Sequence, residues 1–129
     1  MRLTIVPLAL AVSVTPCLLA AQRSARQAPP SAITCPHDYL TAYTGKVASY
    51  SRSETQLSLT IRTDWDTTET VTIKMPAKML LRSEPFQPAH WPKVEIAKGK
   101  LKKGMRATAW VCEDGRNPPV LDWQPLPER

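Results

Sequence analysis

The sequence predicts one small, mostly β domain built from five short strands, and three observations point that way. Apolar and polar residues alternate with a period of two in Gln56–Thr63, Thr70–Met75 and Met105–Cys112, the pattern of strands with one buried and one wet face. Thirteen Pro, four Gly and a single Phe are poor material for a long-helix bundle or a nucleotide-binding α/β fold, because proline breaks helix interiors. The length, 129 residues, is enough for one domain and too short for a large multi-substrate enzyme.

The chain opens MRLTIVPLALAVSVTPCLLAA. Arg2 precedes an apolar stretch to Leu19, small residues follow at Ala20 and Ala21, and polar residues come next. This predicts a secretory signal peptide over 1–21, cut after Ala20 or Ala21. The rival is an uncleaved N-terminal anchor, which Pro7, Pro16 and the short apolar run disfavour. Cys17 follows Val14, Thr15 and Pro16, which does not fit a lipoprotein cleavage site. The chain's Asn117 precedes Pro118, so it is no glycosylation sequon. The expected location is secreted or cell-envelope, periplasmic in a Gram-negative bacterium, with no membrane span once the leader is removed.

Two cysteines then remain, Cys35 and Cys112. In an exported domain they are expected to form one disulfide. Such a long-range link stabilises by about 4 kcal/mol on a chain-entropy basis. The alternative is a metal site using Cys35, Cys112, His37 and His90. It lacks paired ligand spacing, so neither metal nor cofactor is expected.

Residues 22–33 (QRSARQAPPSAI) are polar, contain Pro29-Pro30 and show no periodicity, which predicts a flexible linker. The folded domain is expected over 34–129. Gly45–Tyr50 is the first strand. Gln56–Thr63 follows, with Leu57, Leu59 and Ile61 on one face. Asp64-Trp65-Asp66 breaks the pattern, and Thr70–Met75 resumes it with Val71, Ile73 and Met75. These two runs read as a hairpin with a loop of about four or five residues, since no Asn-Gly or Asp-Gly is present.

The stretch 76–104 is irregular. Ala77–Arg82 is either a helical turn or a short strand, and Pro85, Pro88 and Pro92 forbid a long helix after it. Phe86, Trp91, Val94 and Ile96 are candidates to plug one end of a barrel. Met105–Cys112 divides into Met105, Ala107, Ala109 and Val111 on one side and Arg106, Thr108, Trp110 and Cys112 on the other. Gly115 and Asn117-Pro118-Pro119 mark a turn, and Val120–Trp123 closes the domain.

A hairpin, an insert and two more strands is the element order of a small five-stranded OB-like Greek-key barrel, with the irregular insert between strands three and four. An immunoglobulin-like sandwich is the runner-up, but five strands are too few for it. The phrase LKKGMRATAW, Leu101 to Trp110, looks like the turn into strand four of that barrel. From Gly45 to Trp123 the chain resembles the small exported bacterial OB-like β-barrel domains of uncharacterised function. The resemblance implies a binding or structural scaffold and transfers no site residues. On this fold Ala107 and Ala109 suit the crowded interior. Trp110 then lies outside, beneath the segment tied down by the Cys35–Cys112 bridge.

The densest charge cluster is Lys93, Lys98, Lys100, Lys102, Lys103 and Arg106, opposed only by Glu95, within a chain of net charge +6. A patch of one sign attracts an anionic polymer or a lipid head group. Nucleic acid is disfavoured by export and by few stacking aromatics (Tyr50, Trp65, Trp110). The competing reading is a solvated lysine-rich loop that keeps the domain soluble. His37 and His90 lack a nucleophile in a strained elbow, which makes a small hydrolase the third choice. Asp64, Asp66 and Glu69 could gather around calcium, but turn chemistry accounts for the two aspartates. Four glycines at 45, 99, 104 and 115 form no phosphate loop.

Of the four tryptophans, Trp91 and Trp123 are expected in the packed interior and Trp65 at an exposed hairpin tip. The expected function is a non-catalytic secreted or envelope binding module with a basic surface. The alternative is an accessory or inhibitor protein that recognises another exported protein through Trp65.

Overall fold

A computed structural model describes residues 28–127. The leader (1–21), linker residues 22–27 and the last two residues lie outside it. All five expected strands are present, and half of the described residues lie in β-strands. The strands are β1 (Leu40–Arg52), β2 (Gln56–Thr63), β3 (Thr68–Lys74), β4 (Met79–Leu81), β5 (Glu84–Pro85), β6 (Glu95–Ala97), β7 (Lys100–Leu101), β8 (Arg106–Cys112) and β9 (Val120–Gln124). One short helix, α1 (Trp91–Val94), and two 3-10 turns (His37–Tyr39 and Pro88–His90) complete the elements.

Seven strands form one sheet in the order β3-β2-β1-β8-β9-β4-β5, and β6-β7 is a separate ribbon. Every pairing is antiparallel except β4 with β9. The sheet gains two strands over the expected five because the insert contributes β4 and β5. Among the described residues the ladder is not a closed ring. Its two edges are β3 and β5, which do not pair with each other.

The first strand begins five residues earlier than its alternation suggests. β1 serves two partners: its first half pairs with β8 (Leu40↔Cys112 to Lys46↔Arg106) and its second half with β2 (Gly45↔Thr63 to Arg52↔Leu57). Gly45 sits where both pairings overlap. A Cβ there would collide with the carbonyl of Arg62 and the Cα of Thr63, so only glycine permits this backbone approach. The β1–β2 register shifts between Val47 and Ser49, the mark of a bulge at Ala48 that bends the strand. The bulge also changes parity. Tyr43 and Val47 pack on the core, and so does Tyr50, three residues on instead of two. That break hides β1 from a period-two reading.

The main core combines Leu57, Leu59 and Ile61 of β2, Val71 and Ile73 of β3, and Met79 of β4. Val94, Met105, Ala107, Ala109, Leu121 and Trp123 join them. Met105, Ala107 and Ala109 face inward as alternation requires, and Val111 packs against the same cluster. Phe86 and Trp91 also pack on this core, but Ile96, an expected plug residue, is 71% exposed. It lies on the short β6 strand, next to the fully packed Val94-Glu95 pair.

A second cluster lies on the other face, where Trp110, Leu80 and Val120 are covered by Ala32, Ile33 and Leu40. Cys35 and Cys112 form a disulfide with a Cα–Cα distance of 5.9 Å across a sequence separation of 77. The cover over Trp110 thus includes the last linker residues. Lys78 Nζ donates to Ala32 O at 2.7 Å and fixes that segment further.

Candidate functional site

At the end of the sheet where β4 and β9 finish and β8 begins, the surface opens into a groove of about 340 Å3. Leu81, Arg82, Lys93, Lys102, Lys103, Met105, Pro125, Leu126 and Pro127 line it. A shallower recess of about 420 Å3 continues from it past Arg82, Ser83, Gln124 and Arg106. Among the described residues no carboxylate lines either hollow.

Each cation is placed by backbone that the core holds. Lys93 rides on α1, whose Val94 is fully buried. Lys102 follows β7, and its N–H donates to Val94 O at 2.9 Å, which brings Lys93 and the Lys102-Lys103 pair to one wall. Arg82 enters from β4. Its N–H donates to Trp123 O at 2.9 Å, and its guanidinium donates to the carbonyls of Pro125 (2.9 Å) and Leu126 (3.4 Å). The β4–β5 hairpin turns through Arg82 and Ser83 with φ of 47° and 68°. Positive φ at both central positions normally calls for Asn-Gly. Here the buried Asp122 offsets the strain by accepting from Ser83 N (3.0 Å) and Ser83 Oγ (3.2 Å). The C-terminal segment also lines the groove with Pro125, Leu126 and Pro127. Leu126 lies over Gly104, where a Cβ would come within 3.1 Å of its Cδ1 and φ is 76°.

The structure divides the six cations of the expected cluster. Lys93, Lys102 and Lys103 converge on the groove, and among the described residues none of the three meets a carboxylate. Arg106 reaches the recess, but its guanidinium is engaged by Asp64 at 2.6 Å. Lys98 turns to Glu54 at 4.0 Å, and Lys100 stands exposed on β7, away from the groove.

Two features escape the sequence reading. Arg82 joins the basic wall from an ambiguous part of the insert, and no spacing in the sequence links it to Lys102. Glu95, the cluster's one acid, is withdrawn from the surface. It is 6% exposed and accepts from Arg52 Nη2 (2.6 Å), Arg52 Nε (3.0 Å), Tyr50 Oη (2.6 Å) and Gly99 N (3.1 Å). Burial alone would raise its pKa. The hydrogen bonds from Arg52, Tyr50 and Gly99 outweigh burial and hold the carboxyl below its ordinary value. Burial and the bonded Glu95 together push the Tyr50 phenol up. Arg52 also stacks on Trp91, 4.0 Å from the ring centroid. The lysines beside Glu95 in sequence therefore go without the counter-charge that a residue count assigns them.

Trp65 is 84% exposed at the β2–β3 tip. The loop beneath it is fixed: Thr63 Oγ1 accepts from Thr67 N, Asp64 N donates to Thr44 O, and Arg62 pairs with Asp66 at 2.7 Å. The Asp64–Arg106 pair ties this tip to the rim of the recess. The aspartates are thus engaged by arginines. Among the described residues no three His, Cys, Asp or Glu side chains gather at metal-binding distance. The disulfide takes both cysteines out of the metal alternative. His90 Nδ1 accepts from Gln87 N at 2.9 Å and closes a 3-10 turn.

Comparison of the chain with family models, curated proteins and solved structures finds no match.

Proposed function

We propose that this chain is a non-catalytic binding module of the cell envelope or extracellular space, and that its basic groove takes an anionic partner. One observation carries the reading. Lys93, Lys102 and Lys103 share one groove with Arg82, with no carboxylate on its walls among the described residues. Like charges held together in a concave site repel one another, and an anion relieves that repulsion. The Cys35–Cys112 disulfide fits an oxidising compartment, which supports export. No helix among the described residues is long and apolar enough to cross a membrane.

We read the scaffold as an OB-like barrel. Supporting this, β1 is bent at Gly45 to pair with both β2 and β8. In addition, β4 follows β3 directly in the chain and pairs in parallel with β9, so the chain passes from one edge strand, β3, to the strand beside the other edge, β5.

The test is retention on an anionic resin. The wild type should be held and should elute earlier as salt rises. The variant Lys93→Glu/Lys102→Glu/Lys103→Glu should flow through, while Lys98→Glu/Lys100→Glu keeps most of the retention. Equal loss in both variants would leave only a diffuse surface charge.

A second reading rests on Trp65, whose exposed indole stands on a loop pinned by two ion pairs. Rigid exposed tryptophans are frequent anchors of protein partners. Capture of an exported protein that is lost in Trp65→Ala would favour it.

A further inference from the structure

The lining of the basic groove combines two chemistries. Lys93, Lys102 and Lys103 are cationic, while Leu81, Met105 and Leu126 are apolar. Met105 is buried and belongs to the main core, so it cannot retreat from a ligand. Leu126 is 58% exposed, an apolar side chain in a groove that also holds three lysines. A bare polyanion would satisfy the lysines and leave Leu81, Met105 and Leu126 unused. A neutral lipid would leave three ammonium groups facing an apolar tail.

Resting on the anion-binding reading, we propose that the groove holds a single anionic amphiphile, a phosphate monoester head on an aliphatic chain. The head lies among the ammonium groups of Lys93, Lys102 and Lys103, each a strong donor to phosphate oxygens. The chain runs over Met105 and Leu81 beneath Leu126. The volume, about 340 Å3, falls at the small end of the roughly 300–1,000 Å3 typical of ligand pockets. This limits the ligand to one head and a short length of chain. Arg82 contributes mainly by holding the wall, because its guanidinium is already bonded to the Pro125 and Leu126 carbonyls.

The same head group occurs on a soluble alkyl phosphate and on a bilayer surface, and the experiment separates them. The full-length protein is titrated calorimetrically with inorganic phosphate and with hexyl, octyl and decyl phosphate below their micelle concentrations. It is also sedimented with vesicles of phosphatidic acid in phosphatidylcholine. Affinity for the alkyl phosphates should exceed that for inorganic phosphate and rise about two- to four-fold per added methylene until the groove is full. Lys102→Gln/Lys103→Gln should weaken every phosphate ligand. Leu126→Ser, at an exposed position that leaves the core intact, should flatten the chain-length dependence and preserve phosphate binding.

Equal affinity for inorganic and alkyl phosphates would overturn the amphiphile and leave the anion reading standing. Binding to vesicles without binding to the soluble series would overturn the single-molecule site in favour of a membrane surface. No response to any phosphate, with no retention on anionic resin, would remove both readings together.

Discussion

Two side-chain-level features set how tightly this domain is specified. At Gly45 the β2 backbone approaches so closely that a methyl group has no room. Gly45→Ala should therefore destabilise the protein by about 3 kcal/mol, the upper range for forcing atoms into a packed site. A lowered denaturant midpoint with unchanged slope would register it. Glu95 acts through charge. Its carboxyl is depressed below 4.5 by the bonds from Arg52, Tyr50 and Gly99, which outweigh burial. As pH falls the unfolded chain takes up this proton first, so the contribution is complete above about pH 4.5 and is lost through the depressed folded value. Glu95→Gln should cost about 3 kcal/mol at neutral pH by stranding Arg52. It should also shrink the acid-side slope in a series of melts from pH 6 to 3. An unchanged slope would assign acid sensitivity to other carboxylates.

At the scale of elements, the N-terminal cover and the insert decide what the sheet presents. The Cys35–Cys112 bridge holds the chain that shields Trp110. Replacing both cysteines by serine should lower stability by about 4 kcal/mol, the loop-entropy figure for so long a link. It should also shift tryptophan emission to the red as the indole meets water. Full stability without that shift would show that packing of Ala32 and Ile33 suffices. In the insert, the Arg82-Ser83 turn depends on Asp122. Asp122→Ala should remove two hydrogen bonds and free a strained turn, costing about 2–3 kcal/mol and loosening the Arg82 wall of the groove.

These elements differ in how clearly the sequence announces them. The β2–β3 hairpin and β8 were legible because each has one dry and one wet face, and the four-residue loop follows from the missing Asn-Gly. The first half of β1 was not, because both its faces are partly covered and its residues show no clean alternation. Short β4 and β5 carry too few residues to show any period. Three of the four cations in the groove could be read from lysine density. Arg82 could not, since only the folded turn brings it near Lys102. The burial of Glu95 was equally hidden, because a lone acid among lysines looks like a surface counter-charge.

For the molecule as a whole, the fold concentrates charge that the chain spreads. Of six clustered cations, Arg106 and Lys98 have carboxylate partners and Lys100 points elsewhere. Three lysines remain and are joined by Arg82 around one concave site. The Asp64–Arg106 pair links that site to the Trp65 tip, so both candidate contact regions lie toward the same end of the strands. Breaking that pair with Asp64→Asn should release Arg106 into the recess and strengthen retention on anionic resin, readable as later elution at fixed salt. The most direct test of the account is a backbone amide shift map recorded during titration with pyrophosphate. The largest shifts should fall at Arg82, Lys93, Lys102, Lys103 and Leu126. Shifts centred on the 64–67 loop, or on Lys98 and Lys100, would contradict it.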